Sequence, residues 1–117
     1  MLASGNRMRR RDEFTLAVRR GRRAGRPSVV LHLLRRPSGG SPLVGFIVAR
    51  SVGNAVTRNL VRRRLRHLVR ERIDTLPAGS LLVVRANPAA ASARHDELAR
   101  DLGSALDRLL RSRESTR

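Results

Sequence analysis

The sequence predicts an α+β fold, a small central β-sheet with helices packed on it, and three observations predict it. The 117 residues suit a single domain over 1–117. Helix-period segments and short aliphatic runs alternate in the order helix, strand, strand, helix, strand, helix, with no internal repeat. Leu, Ile, Val and Phe supply 32 of the 117 residues, above the roughly 20% below which a highly charged chain is usually disordered. A core is therefore expected, and it must be aliphatic, because Phe14 and Phe46 are the only aromatic residues among Phe, Trp and Tyr.

Each element has its own signal. Residues 1–8 are polar and basic without a period and are expected to form a flexible arm. Over 12–20, Phe14, Ala17 and Val18 recur at helical spacing, and Gly21 is a plausible stop. Residues 22–26 read as a connector or at most a short edge strand. The aliphatic runs 28–34 (SVVLHLL) and 43–49 (LVGFIVA) read as strands separated by a turn cluster, which suggests an antiparallel hairpin with a long loop. A turn at 51–54 precedes a helix over 55–72, and residues 80–85 (SLLVVR) form a buried strand ended by Asn87 and Pro88. The last element places Leu98, Leu102, Ala105, Leu106, Leu109 and Leu110 on one helical face.

The composition narrows the function. All 26 basic residues are arginines, and against 9 acidic residues they leave a net charge of +17. Such a chain repels itself until something anionic binds. A membrane surface is disfavoured because interfacial helices set Trp or Phe opposite their basic face, so nucleic acid is the expected partner. Guanidinium groups grip phosphates bidentately and stack on bases, which ammonium groups do not. The absence of cysteine excludes a disulfide scaffold and a thiol nucleophile. No apolar run is long enough to span a bilayer, and no apolar stretch follows the charged first eleven residues, so a cytoplasmic protein without a secretory signal is expected.

The arginines cluster. Residues 55–72 contain seven of them, at 58, 62, 63, 64, 66, 70 and 72. On a helical projection Val61, Leu65, Leu68 and Val69 form a buried stripe, while Asn59, Arg62, Arg63, Arg66 and Arg70 form a basic strip beside it. A merely solvated face would carry acids for pairing one turn away, and only Glu71 is present. The strip is therefore suited to an external polyanion. Arg58 projects toward the buried sector. By contrast, five of the nine acids lie in the last 22 residues, so the C-terminal helix is nearly self-neutralising and reads as structural. His32, His67 and His95 have no zinc-ligand spacing, and the carboxylates form no dense cluster, so no catalytic or metal-binding residue is expected in the chain itself.

Residues 51–71, SVGNAVTRNLVRRRLRHLVRE, resemble the signature of the protein component of bacterial ribonuclease P. Gly53-Asn54-Ala55-Val56 and Arg58-Asn59 match its pattern outright, and Arg62, Arg63 and Arg66 match the basic positions that follow. DEFTLAVRRGRR at 12–23 is similar to the family's first helix. The resemblance implies a left-handed βαβ crossover through the arginine helix, against the ordinary right-handed rule. It also implies an endoribonuclease that works as a ribonucleoprotein: a catalytic RNA with bound Mg2+ removes the 5′ leader of precursor tRNA, and the protein assists without cutting. By resemblance, Asn54, Arg58, Asn59, Arg62, Arg63 and Arg66 contact the catalytic RNA, and Phe14, Val18, Val30 and His32 line a cleft for the leader. Phe14 fits a core position equally well, and His32 could pack on the sheet instead. Three positions depart from the family: Leu60 replaces an arginine, with Arg64 the nearest substitute, Val18 replaces a common aromatic, and His32 a common tyrosine. Weak sequence preference along the leader is the expectation. The alternative is a structural RNA-binding protein such as a ribosomal component; DNA is not expected, since neither a helix-turn-helix nor a zinc motif is present.

Overall fold

The strand with the most buried residues lies inside the sheet and not at its edge. The computed structural model describes residues 4–115, comprising α1 (Arg11–Arg20), β1 (Arg22–Gly25), β2 (Val29–Arg35), β3 (Leu43–Ile47), α2 (Ala55–Arg70), β4 (Ser80–Ala86) and α3 (His95–Ser115). The strand order is β1-β2-β4-β3, so β4 is inserted between β2 and β3. It pairs antiparallel with β2, from Val29↔Ala86 to Arg35↔Ser80, and parallel with β3, from Leu43↔Leu81 to Ile47↔Arg85.

This order corrects the expected hairpin between the second and third elements. A run of apolar residues without alternation needs neighbours on both edges and cover on both faces, and Leu81, Leu82, Val83 and Val84 are all fully buried. The loop after β2 helps to deliver β4 to that slot. Arg36 N–H donates to the Gly79 carbonyl at 2.8 Å, and Gly79 N–H donates to the Gly40 carbonyl at 2.7 Å. The segment read as a connector or at most a short edge strand is a short edge strand, with Arg23 opposite His32 and Gly25 opposite Val30. The parallel pairing makes β3–α2–β4 a βαβ crossover carried by the arginine helix.

The two sheet faces bury separate clusters. On one, Val29, Leu31, Leu33, Val44, Leu82 and Val84 meet the stripes of α2 and α3. All four residues of the expected α2 stripe are buried, as are Leu98, Leu102, Ala105, Leu106 and Leu109 of α3. On the other, Ala17 of α1 packs with Met8, Leu81 and Val83, and Phe14, Leu34, Leu43 and Ile47 close the margin. Asn54 caps α2: its side-chain oxygen accepts from Thr57 N–H at 2.9 Å, which satisfies one free helix donor.

The N-terminal segment differs from the expected arm. Arg7 forms a parallel bridge with Val44, Met8 N–H donates to the Val44 carbonyl at 2.8 Å, and Asn6 Nδ2 donates to the Pro42 carbonyl at 2.9 Å. Burial of Met8 under α1 accounts for the attachment; residues 1–3 of the expected arm lie outside the described residues. No described helix is long and apolar enough to cross a membrane.

Gly45 marks a close contact on this face. A Cβ there would run into the Phe14 ring and come within 3.2 Å of Met8 Sδ. Gly45→Ala is therefore expected to lower stability by about 1–3 kcal/mol through overpacking. Urea unfolding measures it, and Phe14→Leu in the same chain should recover part of the loss.

Candidate nucleic-acid interface

Burial of the α2 stripe turns the arginine strip outward. Arg63 and Arg70 are exposed, and Arg62 and Arg66 are half-buried. Arg62 Nη1 donates to Asn59 Oδ1 at 3.1 Å, so Asn59 orients an arginine of the strip. The Arg66 guanidinium stands 6.0 Å from the centroid of the Phe46 ring, which holds it at the sheet edge. Burial, and then the charges of Arg7 and Arg62, lower the proton affinity of Arg66. Three cations from two separate chain segments thus bear on one place. Among the described residues, no arginine from 58 to 70 lies within 4.0 Å of a carboxylate; Glu71 faces His67 instead.

The remaining positions expected at this interface divide. Arg58 is half-buried, and its Nε is enclosed without a partner, in keeping with its projection toward the core. The Asn54 oxygen is engaged in capping α2, leaving its amide nitrogen as donor. Leu60, in the place of the motif's last arginine, is 40% exposed, and Val56 one turn earlier is 78% exposed, so this end of α2 shows apolar surface beside the charge. Arg7 was not legible as a partner of the strip, because only its bridge to β3 brings it there.

The second group lies where α1 covers the sheet. Phe14 is half-buried against Gly45, and Val18 is exposed at the rim. Val30 and His32 are both buried, alternate residues of one strand and so on one face. Phe14 therefore satisfies both readings, as a core side chain with one exposed flank. His32 is flooring: Arg23 on β1 and Val83 on β4 are its register partners, and both ring nitrogens are enclosed without a hydrogen-bond partner. Arg85, paired with Val30, is exposed. Burial first, then the charges of Arg23 and Arg85, holds the His32 pKa below its ordinary value. Arg23 and Arg85 were missed in the sequence. The clue was a charge in or beside an apolar strand run, but its position depended on register.

A mixed-sheet α+β domain with an unneutralised arginine face on its crossover helix defines a small RNA-binding protein. Residues 2–110 match the family described as Ribonuclease P. The ribonuclease P protein component of Streptomyces griseus is 54% identical over 118 residues, covering 94% of this chain and 96% of that protein. That of Thermobifida fusca is 52% identical over 120 residues, covering 97% and 82%. The Staphylococcus aureus RNase P protein structure superposes with a TM-score of 0.80 at 20% identity, covering 87% of this chain and 93% of that one. The RNase P protein from Thermotoga maritima gives 0.72 at 24% identity, covering 90% and 96%; these two likenesses speak for the fold. The chain belongs to the ribonuclease P protein family. Its place is that of an RNA-binding subunit in the holoenzyme that processes tRNA 5′ ends.

The family implies magnesium, and the strip does not fit that ion directly. Asn59 Oδ1 already accepts from Arg62, and the surrounding charges are guanidinium groups. Among the described residues no three carboxylate or imidazole side chains gather as a metal site.

The buried imidazole makes stability depend on pH. Its folded pKa lies below the unfolded value of 6.5, so the unfolded chain binds the proton first and stability falls as pH drops through that value. Urea midpoints between pH 7.5 and 5.5 should fall more steeply for the parent chain than for His32→Leu, and equal slopes would place the titration elsewhere.

Proposed function

We propose that the α2 strip, with Arg7, Arg62 and Arg66 at its centre and Asn54, Arg58, Asn59 and Arg63 beside it, binds the catalytic RNA. The α1-covered sheet face, floored by Val30 and His32 and edged by Phe14, Val18, Arg23 and Arg85, takes the single-stranded 5′ leader of precursor tRNA. The observation that carries the reading is the set of arginines without carboxylate partners on one helix face. Folded RNA is recognised through phosphates and 2′-hydroxyls, which suits that strip. A single strand is held by basic walls and a stacking or apolar floor, which suits the sheet face.

The chemistry divides accordingly. Magnesium would be held mainly by the RNA subunit and would supply the metal-dependent hydrolysis there. The chain's own residues neutralise phosphate charge and position the strands. Arg7, Arg62 and Arg66 lower the repulsion between RNA segments brought close together. With one half-exposed aromatic and an aliphatic floor, the leader face offers little base-specific hydrogen bonding, so leader sequence matters weakly. The protein works in the cytoplasm, where precursor tRNA is made, and cuts nothing alone.

Reconstitution with a bacterial ribonuclease P RNA and a leader-bearing precursor tRNA tests this. The chain should lower the precursor KM and the magnesium requirement; if it does neither, the reading fails. Arg62→Ala, Arg63→Ala and Arg66→Ala together should reduce the salt slope of RNA binding, each lost phosphate contact removing about 0.7–0.9. Adding Arg7→Ala should reduce it by a similar step. Arg23→Ala with Arg85→Ala should weaken binding of leader-bearing precursor several-fold and leave affinity for leaderless tRNA as it was.

A further inference from the structure

The C-terminal helix reads as nearly self-neutralising in sequence, but folding gives Asp96, Glu97, Asp101 and Asp107 partners outside it. Asp101 Oδ2 accepts from the Ser28 N–H at 3.0 Å and the Ser28 hydroxyl at 2.7 Å, tying α3 to the start of β2. Glu97 Oε1 accepts from Arg94 N–H at 2.7 Å, and Asp96 Oδ1 accepts from its own helix start and from Arg94 Nε. Asp107 meets Arg72 at 3.4 Å. Arg100 has no carboxylate within 4.0 Å among the residues whose side chains are described, and Arg111 lies three turns further along α3.

These two arginines share a groove of about 370 Å³ with Arg72, which follows the end of α2. Positions 100, 103, 104, 107 and 111 form one face of α3, and Arg72 lies across that face at Gly103. A Cβ on Gly103 would come within 3.0 Å of the Arg72 Cζ atom. A glycine inside a helix is less favourable than an alanine, and here it makes room for a guanidinium. Ser104 adds a hydroxyl whose oxygen already accepts from Arg26 Nε at 2.9 Å, which leaves its proton free to donate. Arg72, Arg100 and Arg111 line the groove from two elements, with Asp107 the one carboxylate in its lining.

We propose that this groove, formed by Arg72, Arg100, Ser104 and Arg111 over Gly103, binds a phosphate group, and that it is a site separate from the α2 strip. The phosphate comes either from an RNA backbone or from a free phosphate compound. The RNA-backbone source rests on the function proposed above; the phosphate site itself does not.

The test uses the full chain. Amide resonances of Gly103 and Ser104 and the Arg72 Nε–H resonance are followed while inorganic phosphate is added. Saturable shifts are expected in the parent chain, lost in Arg100→Gln with Arg111→Gln, and retained in the triple variant of Arg62, Arg63 and Arg66. Absence of shifts in the parent, or their persistence in the Arg100 and Arg111 variant, overturns the site. Salt-dependent binding to a bacterial ribonuclease P RNA then separates the sources. A slope reduced by about 0.7–0.9 per contact in the Arg100 and Arg111 variant identifies RNA backbone. An unchanged slope in that variant, with phosphate shifts present in the parent chain and lost in the variant, identifies a free phosphate compound. Failure of the triple variant to alter RNA binding would count against the α2 strip alone, so the two readings fail separately.

Discussion

Burial of β4 is the constraint from which the architecture follows. Leu81 through Val84 are without solvent exposure, so the strand needs a partner on each edge and a layer on each face. The β2 edge is antiparallel and the β3 edge parallel. A parallel neighbour cannot be joined by a tight turn, and the connection must cross over. α2 is that connection, and its one apolar stripe is drawn onto the sheet beside α3. The arginine strip is what remains on the outside. The same strand presents Leu81 and Val83 to α1 on the opposite face, where the second basic surface forms around His32 and Arg85. Two proposed RNA-binding surfaces thus depend on one apolar strand.

Charge is distributed by the same folding events. Asp96, Glu97 and Asp101 of α3 are drawn into capping and into the tie with Ser28, whereas the arginines of α2 have no carboxylate partners among the described residues. Arg7 and Arg66 come from distant parts of the sequence and meet because Met8 is buried beneath α1 and its backbone bonds to Val44. The repulsion stored at that place is relieved when a polyanion binds, so the energy of unneutralised charge becomes part of the binding energy. His32 contributes by a different route. Kept neutral by burial and by neighbouring guanidinium groups, it adds no positive charge to a floor already bordered by arginines.

Much of this was legible in the residue pattern. The α2 stripe, the α3 stripe and the basic strip were readable because helical periodicity is local, and all four predicted stripe residues of α2 are buried. The hairpin between the second and third elements was misread, because adjacent aliphatic runs carry no record of which strand will be inserted between them. Residues 1–8 read as a flexible arm in sequence, and the attachment of 6–8 was not legible, since one methionine and a few backbone hydrogen bonds leave little trace in composition. Arg23 and Arg85 acquired meaning only through register, which sets them opposite His32 and Val30.

The +17 charge, the all-arginine chemistry and the alternation of helix and strand periods belong to the sequence alone, because each is a property of composition or of neighbours within a turn or two. The tertiary structure decided which charges remain unpaired. Carboxylates and guanidinium groups interact over a few ångströms, and only the packing around β4 determines which of them come that close.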